Sequence, residues 1–171
     1  MYGWHSGFVH TLHDVEVAHP GGVDPRIAVW VLRRLLELLG LIHRAGWVHG
    51  AVVPPHVLVH PRDHGAMLVG FGGAARIGNP RPPIGRRWTD WVDGPVASPA
   101  TDLGQAARCA RGLASGGFAD PVAALVDGLA AGRFGGSAWD AAEALRQASR
   151  AAYGPAAYNP LVMPGWPASG R

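Results

Sequence analysis

The 171-residue sequence predicts a mainly helical α+β domain with one short β-hairpin. Apolar residues recur at steps of three and four in three stretches that begin with Asp-Pro or Ser-Pro, a pair that suits the start of a helix. Between the first of these stretches and the other two, a pair of short apolar runs flanks the polar segment HPRDHG, which is typical of a hairpin.

Length and composition fit one soluble domain. Hydrophobic residues make up 48% of the chain and charged residues 16%, and no apolar run approaches the roughly 20 residues that span a bilayer. The N-terminus has no basic segment followed by an apolar core, so we expect no signal peptide and a cytoplasmic location. All fifteen basic residues are arginine and they are scattered, so we expect no nucleic-acid partner and no membrane partner.

The first two predicted elements are helices. A short helix is predicted at Thr11–Ala18. After a break at Pro20–Gly22, Asp24 can cap a long helix and Pro25 suits its first position, so this helix should run to about Ala45. The side chains expected to be buried here are Phe8, Val9, Leu12, Val15, Val17, Ala28, Val31, Leu32, Leu35, Leu38, Leu39 and Ile42.

A loop and the hairpin follow. Pro54 and Pro55 lack amide donors and push the preceding residues out of the α region, so Val48–Pro55 should run extended or as a turn. The predicted hairpin strands are Val57–Val59 and Met67–Val69, on either side of the turn-forming HPRDHG.

The second half of the chain is predicted to contain a long irregular segment and three helices. Gly73–Ala97 is rich in Gly and Pro, and its length is unusual for a plain connector. Helices are expected at about 98–113, 120–131 and 138–152, the first of them capped by Ser98. In the last two helices, the side chains expected to be buried are Val122, Leu125, Val126, Leu129, Trp139, Ala142, Leu145 and Ala148.

The order of motifs around this hairpin resembles the catalytic and metal-binding loops of the serine/threonine protein kinase family. His49 begins a His-Gly-Ala triplet where that family has His-Arg-Asp. Pro54 precedes the hairpin, as a proline does in that family. Phe71 and Gly72 follow the hairpin, where that family has Asp-Phe-Gly.

This resemblance implies a fold and its boundaries. Residues 7–152 would form the C-terminal lobe of a protein-kinase-like domain, with the N-terminal lobe absent. Residues 153–171 would be a proline-rich C-terminal tail that packs along the surface or is disordered.

Three positions in the matching motifs are altered. In that family an Asp accepts the substrate proton, and an Asn and a second Asp hold the magnesium ions. The corresponding residues here are Ala51, His56 and Gly70, so the resemblance implies no catalytic residue and no metal site. The sequence also has no lysine for the phosphates. We therefore expect no cofactor, and ATP and magnesium only if the chain belongs to an active kinase.

Asp102 lies in the first turn of the helix that begins after Ser98. The resemblance implies that its carboxylate is buried and accepts hydrogen bonds from backbone amides of the loop at His49. The alternative is an acidic residue that is favoured by the helix dipole alone. The acid that closes the long segment in kinases has two candidate positions, Asp90 and Asp93.

Other kinds of site have weaker support. Five histidines lie in the central stretch, His43, His49, His56, His60 and His64. They lack the spacing of a closed zinc site, so we expect loop or core histidines and no metal. Cys109 is expected to be a small buried hydrophobic residue. No Gly-x-Ser-x-Gly motif is present, so the sequence does not indicate a serine hydrolase.

The function expected from these observations is that of a catalytically inactive kinase-like fragment, a pseudokinase, which binds or scaffolds an unidentified protein. Its partner surfaces would be the central loop, the segment Gly73–Ala97 or the tail. One alternative is part of an active serine/threonine kinase whose N-terminal lobe lies on another chain or upstream. A second alternative is a helical interaction domain unrelated to kinases.

Overall fold

The computed structural model describes residues 7–82, 91 and 94–165, and every structural statement below refers to these residues. They contain five α-helices and five short β-strands, so the mainly helical α+β class is confirmed. The helices are α1 Leu12–Ala18, α2 Pro25–Arg44, α3 Pro99–Leu113, α4 Asp120–Ala130 and α5 Ala138–Tyr153. The strands are β1 His10–Thr11, β2 Trp47–Val48, β3 Val57–His60, β4 Gly65–Leu68 and β5 Ala75–Arg76.

The strands form two small antiparallel sheets. In the first, β1 pairs with β3 and β3 with β4, so the predicted hairpin is confirmed, although β4 begins two residues earlier than expected. In the second, β2 pairs with β5, with Trp47 opposite Arg76. The sequence did not predict β1, β2 or β5, because two residues carry no measurable alternation of apolar and polar side chains.

The helices begin where the capping residues predict. The Asp24 carboxylate accepts a hydrogen bond from the Arg26 amide at 2.8 Å, and Pro25 occupies the first turn of α2. Ser98 caps α3 in the same way. Two further helices begin with reciprocal capping boxes, Thr11 with Asp14 at α1 and Ser137 with Asp140 at α5.

Helix α2 lies at the centre of the domain. It packs against α3 and α5 and covers β4, while α4 bridges α3 and α5. Its buried side is wider than predicted, because Leu36 and Gly40 are buried together with the expected stripe, whereas Leu38 and Ile42 lie at its margin. One contiguous apolar core therefore joins all five helices and the hairpin.

Three side chains that were expected to be buried are exposed. Helix α1 has only two turns and buries one face through Leu12 and Val15, so Val9 and Val17 stay 64% and 68% exposed. Trp139 is 44% exposed. Its indole covers Gly40, where a Cβ atom would lie 2.5 Å from the ring, so it closes the edge of the α2–α5 contact instead of entering the core.

The loop before the hairpin ends in one turn of 3-10 helix, Pro54–His56. The two prolines therefore begin a turn, because a proline in a first helical turn gives up no hydrogen bond. After the hairpin, a second 3-10 turn, Phe71–Gly73, leads into β5, and an isolated bridge joins Pro80 to Val96. The candidate closing acids Asp90 and Asp93 lie outside the described residues.

The tail after α5, Gly154–Gly165 as far as it is described, forms neither helix nor strand. It does not only cover the surface, because Leu161 and Met163 are buried in the core. The ring of His19 donates its Nε2 proton to the carbonyl of Val162 at 2.8 Å, which fixes the same segment. Within the described ranges, no helix combines the length and the apolar character needed to cross a bilayer.

Candidate functional site

The loop His49–Val53, between β2 and the 3-10 turn, is buried along its whole length. Buried backbone groups lose their water, so each amide and carbonyl of such a loop needs a partner inside the protein. One backbone pair forms within the loop, from the Val53 amide to the Ala51 carbonyl at 3.0 Å. Several of its other partners come from one face of α3.

Asp102 is the most heavily used of these partners. Its carboxylate is fully buried, and it accepts the His49 amide on Oδ2 and the Gly50 amide on Oδ1, both at 2.8 Å. The ring of His43, at the end of α2, donates a third hydrogen bond to Oδ2 at 2.9 Å. The loop amides therefore bond to Asp102 as the sequence analysis expected, and a helix-dipole role alone does not describe this residue.

Two further α3 side chains continue the row. Gln105 accepts the Val52 amide on Oε1 at 2.8 Å and directs its amide group at the Gly50 carbonyl at 3.5 Å. The thiol of Cys109 donates to the Val52 carbonyl at 3.6 Å. Burial raises the pKa of this thiol, so Cys109 stays protonated and is not a nucleophile.

His49 is held as a neutral imidazole. Its Nε2 proton is donated to the Val69 carbonyl at 3.0 Å, and its Nδ1 lone pair accepts the Ala51 amide at 3.3 Å. Burial lowers the pKa of His49, which outweighs the opposite effect of the nearby Asp102 carboxylate. The ring thus connects the loop to the residue before Gly70 and serves as a structural element.

The residues after the hairpin meet the loop at close range. Gly70 has a left-handed conformation (φ 75°), and a Cβ atom there would lie 2.6 Å from the ring of His56. His56 in turn donates from Nδ1 to the Ala51 carbonyl at 2.9 Å. The Phe71 ring centroid lies 4.5 Å from that of His49, and Phe71 is 51% exposed. The structure therefore brings the positions Ala51, His56 and Gly70 together.

A second close approach explains a glycine inside the triplet. Gly50 has φ 74°, and a Cβ atom there would lie 2.1 Å from the Gly73 carbonyl oxygen. Only glycine allows both this conformation and this contact. The backbones of the loop and of the turn Phe71–Gly73 are thus in close contact at Gly50 and Gly73.

This arrangement is suited to holding a backbone shape and not to acid–base chemistry. Among the described residues, the carboxylate that is hydrogen-bonded to the loop is that of Asp102, and its oxygens are occupied by three donors. Each of the five central histidines makes a hydrogen bond. His43 donates to Asp102, His49 to the Val69 carbonyl, His56 to the Ala51 carbonyl and His64 to the Asn159 carbonyl, while His60 accepts from the Asp63 amide. No group of three His, Cys, Asp or Glu residues in the described ranges could hold a metal ion.

The roles of three residues at this site, Gln105, His43 and Gly50, were not predicted from the sequence. Gln105 could have been found, because 102, 105 and 109 follow the three- and four-residue steps of one helix face. His43 and Gly50 gave no such signal, since their roles depend on contacts between segments distant in sequence.

Comparison with models of known protein families found no match to this chain, and comparison with curated protein sequences gave no significant match.

Proposed function

We propose that this chain is a catalytically inactive protein-kinase-like module that acts by binding another protein. One observation carries the proposal. A buried carboxylate, Asp102, holds the loop that begins at His49, in the manner that the motif order suggests, while the three positions that would do phosphoryl transfer carry Ala51, His56 and Gly70.

The chemistry of these three residues supports inactivity. Ala51 is buried and has no side-chain oxygen to accept a proton, and Gly70 has none to bind magnesium. The Nδ1 atom of His56 is used by the Ala51 carbonyl. The absence of lysine from the sequence removes the usual cation for the α- and β-phosphates.

The binding role has a candidate surface next to the loop. Trp47, Ile77 and Val96 are exposed large apolar side chains on backbones that are hydrogen-bonded to one another: β2 pairs with β5, and Gly78 donates to the Ala97 carbonyl. The Arg76 guanidinium lies 5.1 Å from the Trp47 ring centroid, which adds one charge to this apolar partner surface. Such residues are typical of protein contact sites.

Calorimetry with ATP, in the presence and absence of magnesium, tests the proposed lack of catalytic activity. We expect no magnesium-dependent heat at micromolar ATP. Magnesium-dependent binding in the low micromolar range would overturn this proposal and would favour the alternative of an active phosphotransferase.

Capture experiments test the proposed binding of another protein. Ile77→Asp places a charge in the apolar partner surface, whereas Val17→Asp makes the same change at an exposed position on α1. A protein captured from the source cells by the unmodified chain should be lost with Ile77→Asp and kept with Val17→Asp. Equal capture by both variants would contradict the assignment of this surface.

A further inference from the structure

A pocket of about 340 Å³ lies between α2, α5 and the tail, on residues that the proposed function does not use. Its size is within the range of small-molecule sites. One face of α2 lines it through residues 26, 29, 30 and 33, and one face of α5 through 145, 146, 149, 150 and 153. We call it the α2–α5 pocket.

The base of the α2–α5 pocket is apolar and partly aromatic. Val29, Trp30, Leu145 and Tyr153 all line it, and each packs in or against the core. The Tyr153 hydroxyl accepts the Ala119 amide at 3.0 Å, so this ring is fixed from behind by the start of α4. The pocket therefore offers two oriented aromatic side chains to a ligand.

The outer wall is the tail, and it is held in place. His64 donates from Nε2 to the Asn159 carbonyl at 2.9 Å. The His64 ring is stacked between Trp30 and Tyr158, with centroid distances of 4.5 Å on both sides. Together with the buried Leu161, these contacts form the pocket before any ligand arrives, which reduces the entropy cost of binding.

The charges around the pocket have one sign. Of the residues that the structure describes, four arginines and no carboxylate line it. Arg26, Arg33 and Arg146 are paired with Asp24, Glu37 and Glu143, which lie outside the lining. The hydrogen bonds from Arg146 and Gln147 lower the pKa of Glu143 to about 2, so that carboxylate stays ionised and neutralises Arg146. Arg150 has no acidic partner among the described residues.

We propose that the α2–α5 pocket binds a small aromatic carboxylate, with its ring between Trp30 and Tyr153 and its carboxylate on Arg150. Arg150 and Tyr153 are three residues apart on α5, so the guanidinium and the phenol ring face the same side of the helix. Among the described residues, the lining combines an apolar base with one arginine that has no acidic partner, a combination that suits a ligand with an apolar body and one negative charge. The planar guanidinium suits a carboxylate through two parallel hydrogen bonds.

Calorimetry with naphthalene-2-carboxylate tests this assignment, because naphthalene-2-carboxamide is a matched probe of nearly the same shape without the charge. We expect the carboxylate to bind about ten-fold more tightly than the amide, as for one charge-assisted contact. Arg150→Gln should remove that advantage and leave amide binding unchanged. Arg44→Gln, an equal charge change at the far end of α2, should alter neither affinity.

Nitrogen–proton NMR spectra locate the site, with the Trp30 indole signal assigned through Trp30→Phe. This signal should shift on addition of naphthalene-2-carboxylate. Equal binding of the two naphthalene probes, an affinity unaffected by Arg150→Gln, or an unmoved Trp30 signal would each overturn the proposal. Binding of decanoate as tight as that of naphthalene-2-carboxylate would overturn the aromatic assignment.

Discussion

The carboxylate of Asp102 provides hydrogen-bond acceptors for two amides of the irregular buried loop. The adjacent amides of His49 and Gly50 both donate to it, because the two oxygens of a carboxylate match two adjacent donors. His43 adds a third donor from α2. A single residue therefore ties α2, the loop and α3 together.

Replacement of Asp102 should be costly. Asp102→Ala leaves two buried amides without acceptors, and we expect a loss of about 3 kcal/mol or more in the free energy of unfolding. Asp102→Asn should also destabilise the fold, because one acceptor becomes an amide group that faces a donor. Asp63→Ala, at a carboxylate that is 69% exposed, should cost less than about 0.5 kcal/mol. Urea denaturation measures all three, and equal midpoints for Asp102→Ala and Asp63→Ala would contradict the role of Asp102.

Two glycines separate the effect of conformation from that of contact. Gly50 and Gly46 have φ values of 74° and 83°, but a Cβ atom at Gly46 would have no neighbour within 4 Å. Gly46→Ala should therefore cost only the left-handed penalty of about 1–2 kcal/mol. Gly50→Ala must also move the Gly73 carbonyl, so it should cost clearly more. Similar denaturation midpoints for the two variants would show that the loop and the turn Phe71–Gly73 can move apart at little cost in free energy.

At the scale of elements, the sequence predicted those that carry their own signals. All five helices were expected, because four have a capping side chain and α4 begins with an Asp-Pro pair ahead of an apolar period. The second sheet was not expected, because β2 and β5 are two residues long and exist through their contact with each other. For the candidate site, a buried Asp102 followed from a helix start and a resemblance, whereas the tautomer of His49 and the proximity of Gly50 to Gly73 depend on the assembled fold.

The tail is the element whose packing was least predictable. Its prolines and spaced aromatic residues indicated a surface segment, yet the ring of His64 and the buried side chains Leu161 and Met163 hold it on the domain. His64 has φ 49°, an uncommon value for a residue other than glycine. His64 lies in the predicted hairpin turn, but its contact with Asn159 joins residues 95 positions apart and leaves no trace in the local sequence.

This contact should make stability depend on pH. Burial lowers the pKa of His64 and of His49 below the usual value for histidine. The folded state therefore binds fewer protons than the unfolded state in mildly acidic solution, and stability falls as the pH drops below about 6.5. The melting temperature should be lower at pH 5.5 than at pH 7.5.

His64→Asn tests the contribution of the tail contact to that trend. Asparagine tolerates the left-handed conformation and does not titrate in this range. The variant should be less stable than the unmodified chain at pH 7.5, because the ring stack is lost, and its melting temperature should fall less between pH 7.5 and pH 5.5. An identical fall in both proteins would exclude His64 as a source of the pH dependence.

At the scale of the whole molecule, α2 joins the two candidate sites. Its first half lines the α2–α5 pocket through Arg26 and Trp30, and its last turn supplies His43 to the loop. Between them, its buried leucines form the centre of the core. The loop site and the pocket thus share one rigid element, while their functional side chains stay separate.

The proposed kinase-like assignment can be tested by placing the kinase residues at positions 51, 56 and 70. Gly70→Asp would place its Cβ 2.6 Å from the ring of His56 on a left-handed backbone (φ 75°), and His56→Asn relieves this contact only in part, because asparagine keeps the Cγ atom that lies 2.7 Å from the same point. Ala51→Asp is less favourable, because Ala51 is buried and an added carboxylate loses water there. We therefore expect the triple variant to fold with a lower melting temperature than His56→Asn alone.

The triple variant Ala51→Asp, His56→Asn, Gly70→Asp should not transfer phosphate. Phosphoryl transfer depends mainly on holding the nucleotide and positioning its γ-phosphate, and a chain without lysine lacks the cation that kinases use for this purpose. Two carboxylates near the hairpin should at most add weak magnesium binding. The measurement is transfer of radiolabelled phosphate from ATP to a basic protein, with the unmodified chain as the blank. Transfer by the triple variant alone would mean that this domain positions ATP by itself, and the proposal of a passive binding module would then be wrong.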